Sequence, residues 1–339
     1  ILLTPLPIRG TQLNGIRHII RLLLITLAFA LPTALTSDTH AQGPGEFKRT
    51  TSLLSSRSFH TATTLLDGRV LVAGGTDGTF VHRSAEIYDP ATGDFTDTGD
   101  MAQFRFGHTA TLLTDGRVLV IGGVKLQDRF INEAETYDPS TGQFTAALPM
   151  SSPRAYHTAT LLDNGKVLIV GGLSNHFEIL SSAELFDPAT NTFSDAGSMA
   201  VSRSHHAATM LPDGNVLITG GFTDGRSVKT LEAYDPTANT FKTVGEASHA
   251  RGAHTSTLLS SGKALLAGGI ERDDEPGDEV PTNIAELYDI ATGQVTTVAD
   301  RLLPRLWHTA TSLADGSVLI VGGAGAEASV VRVSQIFDP

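Results

Sequence analysis

The sequence repeats itself about every 48 residues, and no other feature limits its fold as strongly. The stretch "RSFHTATTLLDGRVLVAGG", from Arg57 to Gly75, is followed by five near-copies: "RFGHTATLLTDGRVLVIGG", "RAYHTATLLDNGKVLIVGG", "RSHHAATMLPDGNVLITGG", "RGAHTSTLLSSGKALLAGG" and "RLWHTATSLADGSVLIVGG". The shared histidines are His60, His108, His157, His206, His254 and His308, spaced 48, 49, 49, 48 and 54 apart. Each copy ends in a glycine pair, from Gly74–Gly75 to Gly322–Gly323. A third element follows, as in "SAEIYDPATGDF", and its sixth copy, "VSQIFDP", ends the sequence. A unit this short cannot bury its own apolar face and must stack on its neighbours.

Each unit parses into four short strands. Strand a is "HTATLL", and Asp67-Gly68 suggests a two-residue type I′ hairpin turn into strand b. Strand b, "RVLVAGG", is nearly all apolar and is expected to be buried on both faces. Strand c is "SAEIYD", and Pro90 and Gly93 turn the chain into strand d near Phe95. Four antiparallel strands repeated six times predict an all-β, six-bladed β-propeller. Five repeats carry an apolar residue 13 positions before the next histidine: Phe95, Phe144, Phe193, Phe241 and Val295. Phe47 stands 13 before His60 with no repeat ahead of it, so "FKRTTSLL" is expected to supply strand d of the last blade and close the ring.

The glycine pair, the Glu-x-Tyr-Asp-Pro strand and the aromatic residue about five positions later resemble the kelch repeat, over residues 46–339. The strand-d tryptophan usual in that family is Phe here, or Val295 in blade five. The pattern is also similar to the central domain of galactose oxidase. That resemblance implies copper radical chemistry, which needs a tyrosine crosslinked to cysteine, a second tyrosine and two histidines. The chain has no cysteine, and four of its five tyrosines (Tyr88, Tyr137, Tyr234 and Tyr288) belong to strand c. The oxidase reading therefore fails although the fold is shared, and no cofactor is expected.

Residues 1–41 read as a secretory signal peptide: Arg17, His18 and Arg21, an apolar run from Leu22 to Leu31, then a small-residue stretch ending at Ala41. About ten apolar residues are too few to span a bilayer. The expected mature domain is 42–339, a secreted or periplasmic monomer. A formal net charge of −12 without lysine runs argues against nucleic acid as a partner.

Alternating strand directions put the d–a and b–c loops on one face and the uniform a–b and c–d turns on the other. The first face carries the irregular segments and the six arginines Arg57, Arg105, Arg154, Arg203, Arg251 and Arg305. These arginines read in two ways. They converge on an anionic or polyol ligand at the channel mouth, or each pairs with a strand-c carboxylate: Glu86, Glu135, Glu184, Glu232 or Glu286, with Gln335 in blade six. The six histidines read as buried hydrogen-bonders, being too many for one zinc site. Trp307, beside Arg305, and Tyr156, beside Arg154, are candidates for stacking on a ligand or plugging the channel. The loop Glu271–Glu279 is rich in carboxylates, and Asp273, Asp274 and Asp278 are its candidate calcium ligands; its other reading is a solvated loop.

Two functions fit. The first is a non-enzymatic binding module for a protein or glycan, using the face with the d–a and b–c loops. The second is a periplasmic sugar-modifying enzyme resembling sialic acid mutarotases, with Arg226, Glu178 or a ring arginine as acid–base groups. No nucleotide loop, nucleophile elbow or zinc-helix motif is present.

Overall fold

The computed structural model describes residues 50–126, 129–272, 280–298, 302–326 and 331–339. Six antiparallel sheets follow one another as the blades of a β-propeller. Blade one is Thr61–Thr64, Val70–Ala73, Ala85–Asp89 and Asp94–Asp97, hydrogen-bonded in that order as strands a to d. Blades two to five repeat it from Thr109–Leu112, Thr158–Leu161, Ala207–Met210 and Thr255–Leu258. Blade six comprises Thr309–Ser312, Val318–Val321 and Gln335–Phe337. The segment around Phe47, expected to supply its strand d, lies outside the described residues.

Strand a of each blade from one to five contacts strand a of the next, which puts strand a innermost and strand d at the rim. The core lies between blades. Leu71, Ala73 and Ile87 of blade one pack on Val118, Val120 and Tyr137 of blade two. Leu119, Ile121 and Ala134 then pack on Val167, Ile169 and Phe186, and so on to blade six. Both faces of strand b are thereby buried, as its apolar run requires. Each such Val, Leu or Ile contributes about 1.5–3 kcal/mol. Near the rim, strand c and strand d pair their rings: Tyr88–Phe95, Tyr137–Phe144, Phe186–Phe193 and Tyr234–Phe241, at centroid distances of 4.9 to 5.0 Å.

The a–b turn differs from the expected type I′ hairpin. Leu65 N–H bonds to Arg69 O and Gly68 N–H to Leu65 O, making Leu66-Asp67-Gly68 a three-residue loop. Only Gly68, at φ 87°, is left-handed there, whereas a type I′ turn needs two such residues. Asp67 instead accepts the Arg69 amide. On the opposite face, short ribbons prolong the b–c loops: Val124–Lys125 with Arg129–Phe130, Phe222–Thr223 with Arg226–Ser227, and Ile270–Glu271 with Val280–Pro281.

Candidate functional site at the channel mouth

The repeated arginine is part of the blade. Arg154 Nη1 donates to Gly171 O (2.9 Å) and Ser182 O (3.1 Å), and Nη2 to Glu184 Oε1 (2.9 Å). The other Glu184 oxygen accepts the Ser151 amide of the d–a link. One guanidinium thus fastens the end of strand b, the start of strand c and the incoming link. The same pairing joins Arg57–Glu86, Arg105–Glu135, Arg203–Glu232 and Arg251–Glu286, and Arg305 bonds to Gln335. Arg105, Arg154, Arg203, Arg251 and Arg305 are all within 1% of complete burial, and the Arg57 side chain is equally enclosed. The arginines are therefore corrected from channel-mouth ligands to internal clasps, because they are buried in the blades and their Nη groups bond to backbone carbonyls and to Glu or Gln side chains.

The repeated histidine makes the seam between blades. His157 Nε2 meets Thr109 Oγ1 of the preceding blade at 2.9 Å, and Thr61–His108, Thr158–His206 and Thr255–His308 do the same. Blade four has Ala207 where the others have threonine, and its pairing partner Thr219 on strand b supplies the hydroxyl to His254. Burial, with the neighbouring Arg203 charge, pushes His206 down to about 3; burial and Arg305 push His308 to about 4.

The residue just before each of these histidines is left-handed: Phe59, Gly107, Tyr156, His205, Ala253 and Trp307, with φ between 52° and 61°. For a residue with a side chain this costs about 1–2 kcal/mol. The offsetting contact is a chain of main-chain bonds around the mouth. Gly107 N–H donates to Phe59 O, Tyr156 to Gly107, His205 to Tyr156, Ala253 to His205, and Trp307 to Ala253, at 2.9 to 3.2 Å. These six positions head the innermost strands, so the side chains of the five that are not glycine form a crown at the channel mouth. Left-handed backbone is thereby concentrated at one ring of positions.

The crown is asymmetric. Tyr156 stacks on His205 (4.3 Å between centroids, 17° between planes), and His205 meets the Phe222 ring edge-on at 5.7 Å. The Arg272 guanidinium lies over Phe222 at 4.9 Å. Tyr156 also covers Gly107, where a β-carbon would come within 2.9 Å of its ring. Burial, then Arg272, pushes His205 down to about 4, so it is neutral at physiological pH. Trp307 is 36% exposed.

Of the residues singled out from sequence, Tyr156 and Trp307 belong to this crown. His205 and Phe59 do so as well, and the sequence reading missed both. Their signal was that the position before the histidine varies (Phe, Gly, Tyr, His, Ala, Trp) within an otherwise uniform motif. Asp273, Asp274 and Asp278 lie outside the described residues, among which no cluster of metal-ligating side chains occurs. Glu178 and Arg226 are exposed on b–c loops of blades three and four. A groove of about 580 Å³ on the opposite face runs between turns at Asp67, Asp115 and Asp138. Its two arginines, Arg69 and Arg117, already pair with Asp67 and Asp115.

The Attractin/LZTR1 beta-propeller family matches residues 92–329, and the Kelch motif matches residues 57–102. No curated protein matches the chain. Among solved structures, one titled "Structure of YjhT" is similar at a TM-score of 0.68 and 15% identity, over 84% of this chain and 98% of that one. At that identity the likeness is one of fold.

Proposed function

Because the chain belongs to the Attractin/LZTR1 beta-propeller family, we propose that it is an exported, monomeric binding module. Its ligand is a protein or glycan, taken at the channel mouth on the face of the d–a and b–c loops. The observation that carries this reading is the crown: aromatic side chains are held on strained backbone at the mouth, while the opposite face is uniform. Flat rings at a rigid rim suit sugar faces and apolar side chains alike. Export rests on the signal-like composition of residues 1–41. The sugar-modifying alternative lacks a comparable support. The repeated Arg–Glu pairs are buried inside the blades, out of reach of a ligand at the mouth.

The test is a glycan array probed with residues 42–339, wild type against a Tyr156→Ala/Trp307→Ala double variant. The expected outcome is at least a tenfold loss of signal, with a lowered melting temperature but a cooperative unfolding transition, since Tyr156 also packs on His205. Equal signals would move the site away from the mouth. Faster anomer exchange of a free sugar, followed by NMR, would instead favour the enzyme.

A further inference from the structure

Five seams join the six blades, and each is built from one set of contacts. The second glycine of one blade donates its N–H to the arginine carbonyl of the next: Gly75 to Arg105, Gly123 to Arg154, Gly172 to Arg203, Gly221 to Arg251 and Gly269 to Arg305, at 2.8 to 2.9 Å. The first glycine lies so close to that carbonyl that a β-carbon on it would sit 2.3 to 2.7 Å away. The Thr–His bond and one link of the crown complete each seam.

A sixth seam, from blade six to blade one, would pair Gly323 with Arg57 O, Thr309 with His60, and Phe59 N–H with Trp307 O. Among the described residues none of these contacts is made. A β-carbon on Gly322 would meet nothing within 4 Å among the described residues. Gly322 and Gly323 are half-buried where the other five pairs are buried. The apolar layer is open on both sides of the gap. On blade six, Leu319 and Val321 are half-buried and Ile336 is 63% exposed, whereas their blade-one equivalents Leu71, Ala73 and Ile87 are buried. On blade one, Val70 and Tyr88 are half-buried, whereas Val118 and Tyr137 of blade two are buried.

Equal seams impose equal rotations. Five steps of about 60° bring a sixth blade directly against the first, as a six-bladed ring requires. Among the described residues blade six makes none of the seam contacts with blade one, which a smaller step accounts for. A step of about 51°, one-seventh of a turn, leaves a slot one blade wide. We infer that the space between blades six and one is a docking slot for one further kelch-type blade. Its occupant presents an Arg-x-x-His strand start to Gly322–Gly323 and a Gly–Gly strand end to Arg57–His60. The slot walls specify this chemistry, because each bears half of the contact set that the other five seams complete. Filling the slot closes the crown and buries both open apolar layers. This inference is independent of what the crown binds.

The experiment compares residues 42–339 with the same chain carrying, after Pro339, a copy of its own residues 91–139. That stretch runs from the end of one strand c to the end of the next and includes an Arg-x-x-His and a Gly–Gly. Amide hydrogen exchange is followed in peptides containing Phe59 and Gly323, with those of Tyr156 and Gly269 as references from completed seams. The unextended chain is expected to exchange Phe59 and Gly323 at least about a hundredfold faster than the references. The extended chain, still monomeric, should bring them level and melt higher. Phe59 and Gly323 already as slow as the references in the unextended monomer would overturn the inference, since the six blades then close on themselves. Dimerisation of the unextended chain with protection of both amides would also overturn it, placing a second copy in the slot. So would an extended chain in which both amides stay fast.

Discussion

At the scale of the residue, Arg154 and His206 show why the most repeated side chains are the least available to a ligand. Arg154 is fully buried, and Glu184 partly offsets the desolvation that pushes its guanidinium below its ordinary value. Arg154→Ala leaves Glu184 buried without its counter-charge, so it should cost about 3–5 kcal/mol in urea unfolding. Arg154→Lys should recover little of this, because an ammonium cannot span Gly171, Ser182 and Glu184 at once. His206 titrates near 3 in the fold against an ordinary value of 6.5. Between those values the unfolded chain binds the extra proton, so its contribution is complete above pH 6.5 and is lost as pH falls towards 3. Each unit of that difference is worth about 1.4 kcal/mol. Melting temperatures measured from neutral pH down to pH 4 should therefore fall less steeply for His206→Gln than for wild type. The Arg–Glu pairing was one of two readings open in the sequence; the choice between them needed the depth of the side chain in the blade.

At the scale of the element, the glycine pair is a packing device. Gly122 is left-handed at φ 64°, and a β-carbon on it would come within 2.3 Å of Arg154 O. Gly93 is left-handed at φ 78° in the c–d turn, with nothing within 4 Å. Gly93→Ala should then cost only the conformational term, about 1–2 kcal/mol. Gly122→Ala should cost clearly more, because the seam itself must part; denaturant unfolding of the two variants separates the effects. The strands were legible from the repeat, since a run such as "VLVI" bounded by a turn and a glycine pair has few alternatives. The a–b turn was not, because Asp-Gly serves both a two-residue loop and a three-residue loop, and the flanking register selects between them. The crown was equally hidden: a variable position shows tolerance, while its left-handed backbone appears only when neighbouring blades supply the ring of hydrogen bonds.

At the scale of the whole molecule, a single tryptophan at the mouth makes the proposed site observable. Trp307 is the chain's only tryptophan and is partly exposed. Acrylamide quenching of its fluorescence should decrease when a ligand occupies the crown, and a ligand held on the opposite face should leave it unchanged. By itself the sequence determined the number of blades in this chain, the strand order within each and the groups that meet at a seam. Those follow from a periodic pattern of apolar runs, turns and glycine pairs, each read locally. Only the tertiary structure decided the burial of the arginines, the crown and, among the described residues, the unmade seam between blades six and one. The rotation between blades is set by how side-chain volumes fill the layer between neighbouring sheets. A small change in that angle, multiplied over five seams, decides whether the last blade reaches the first.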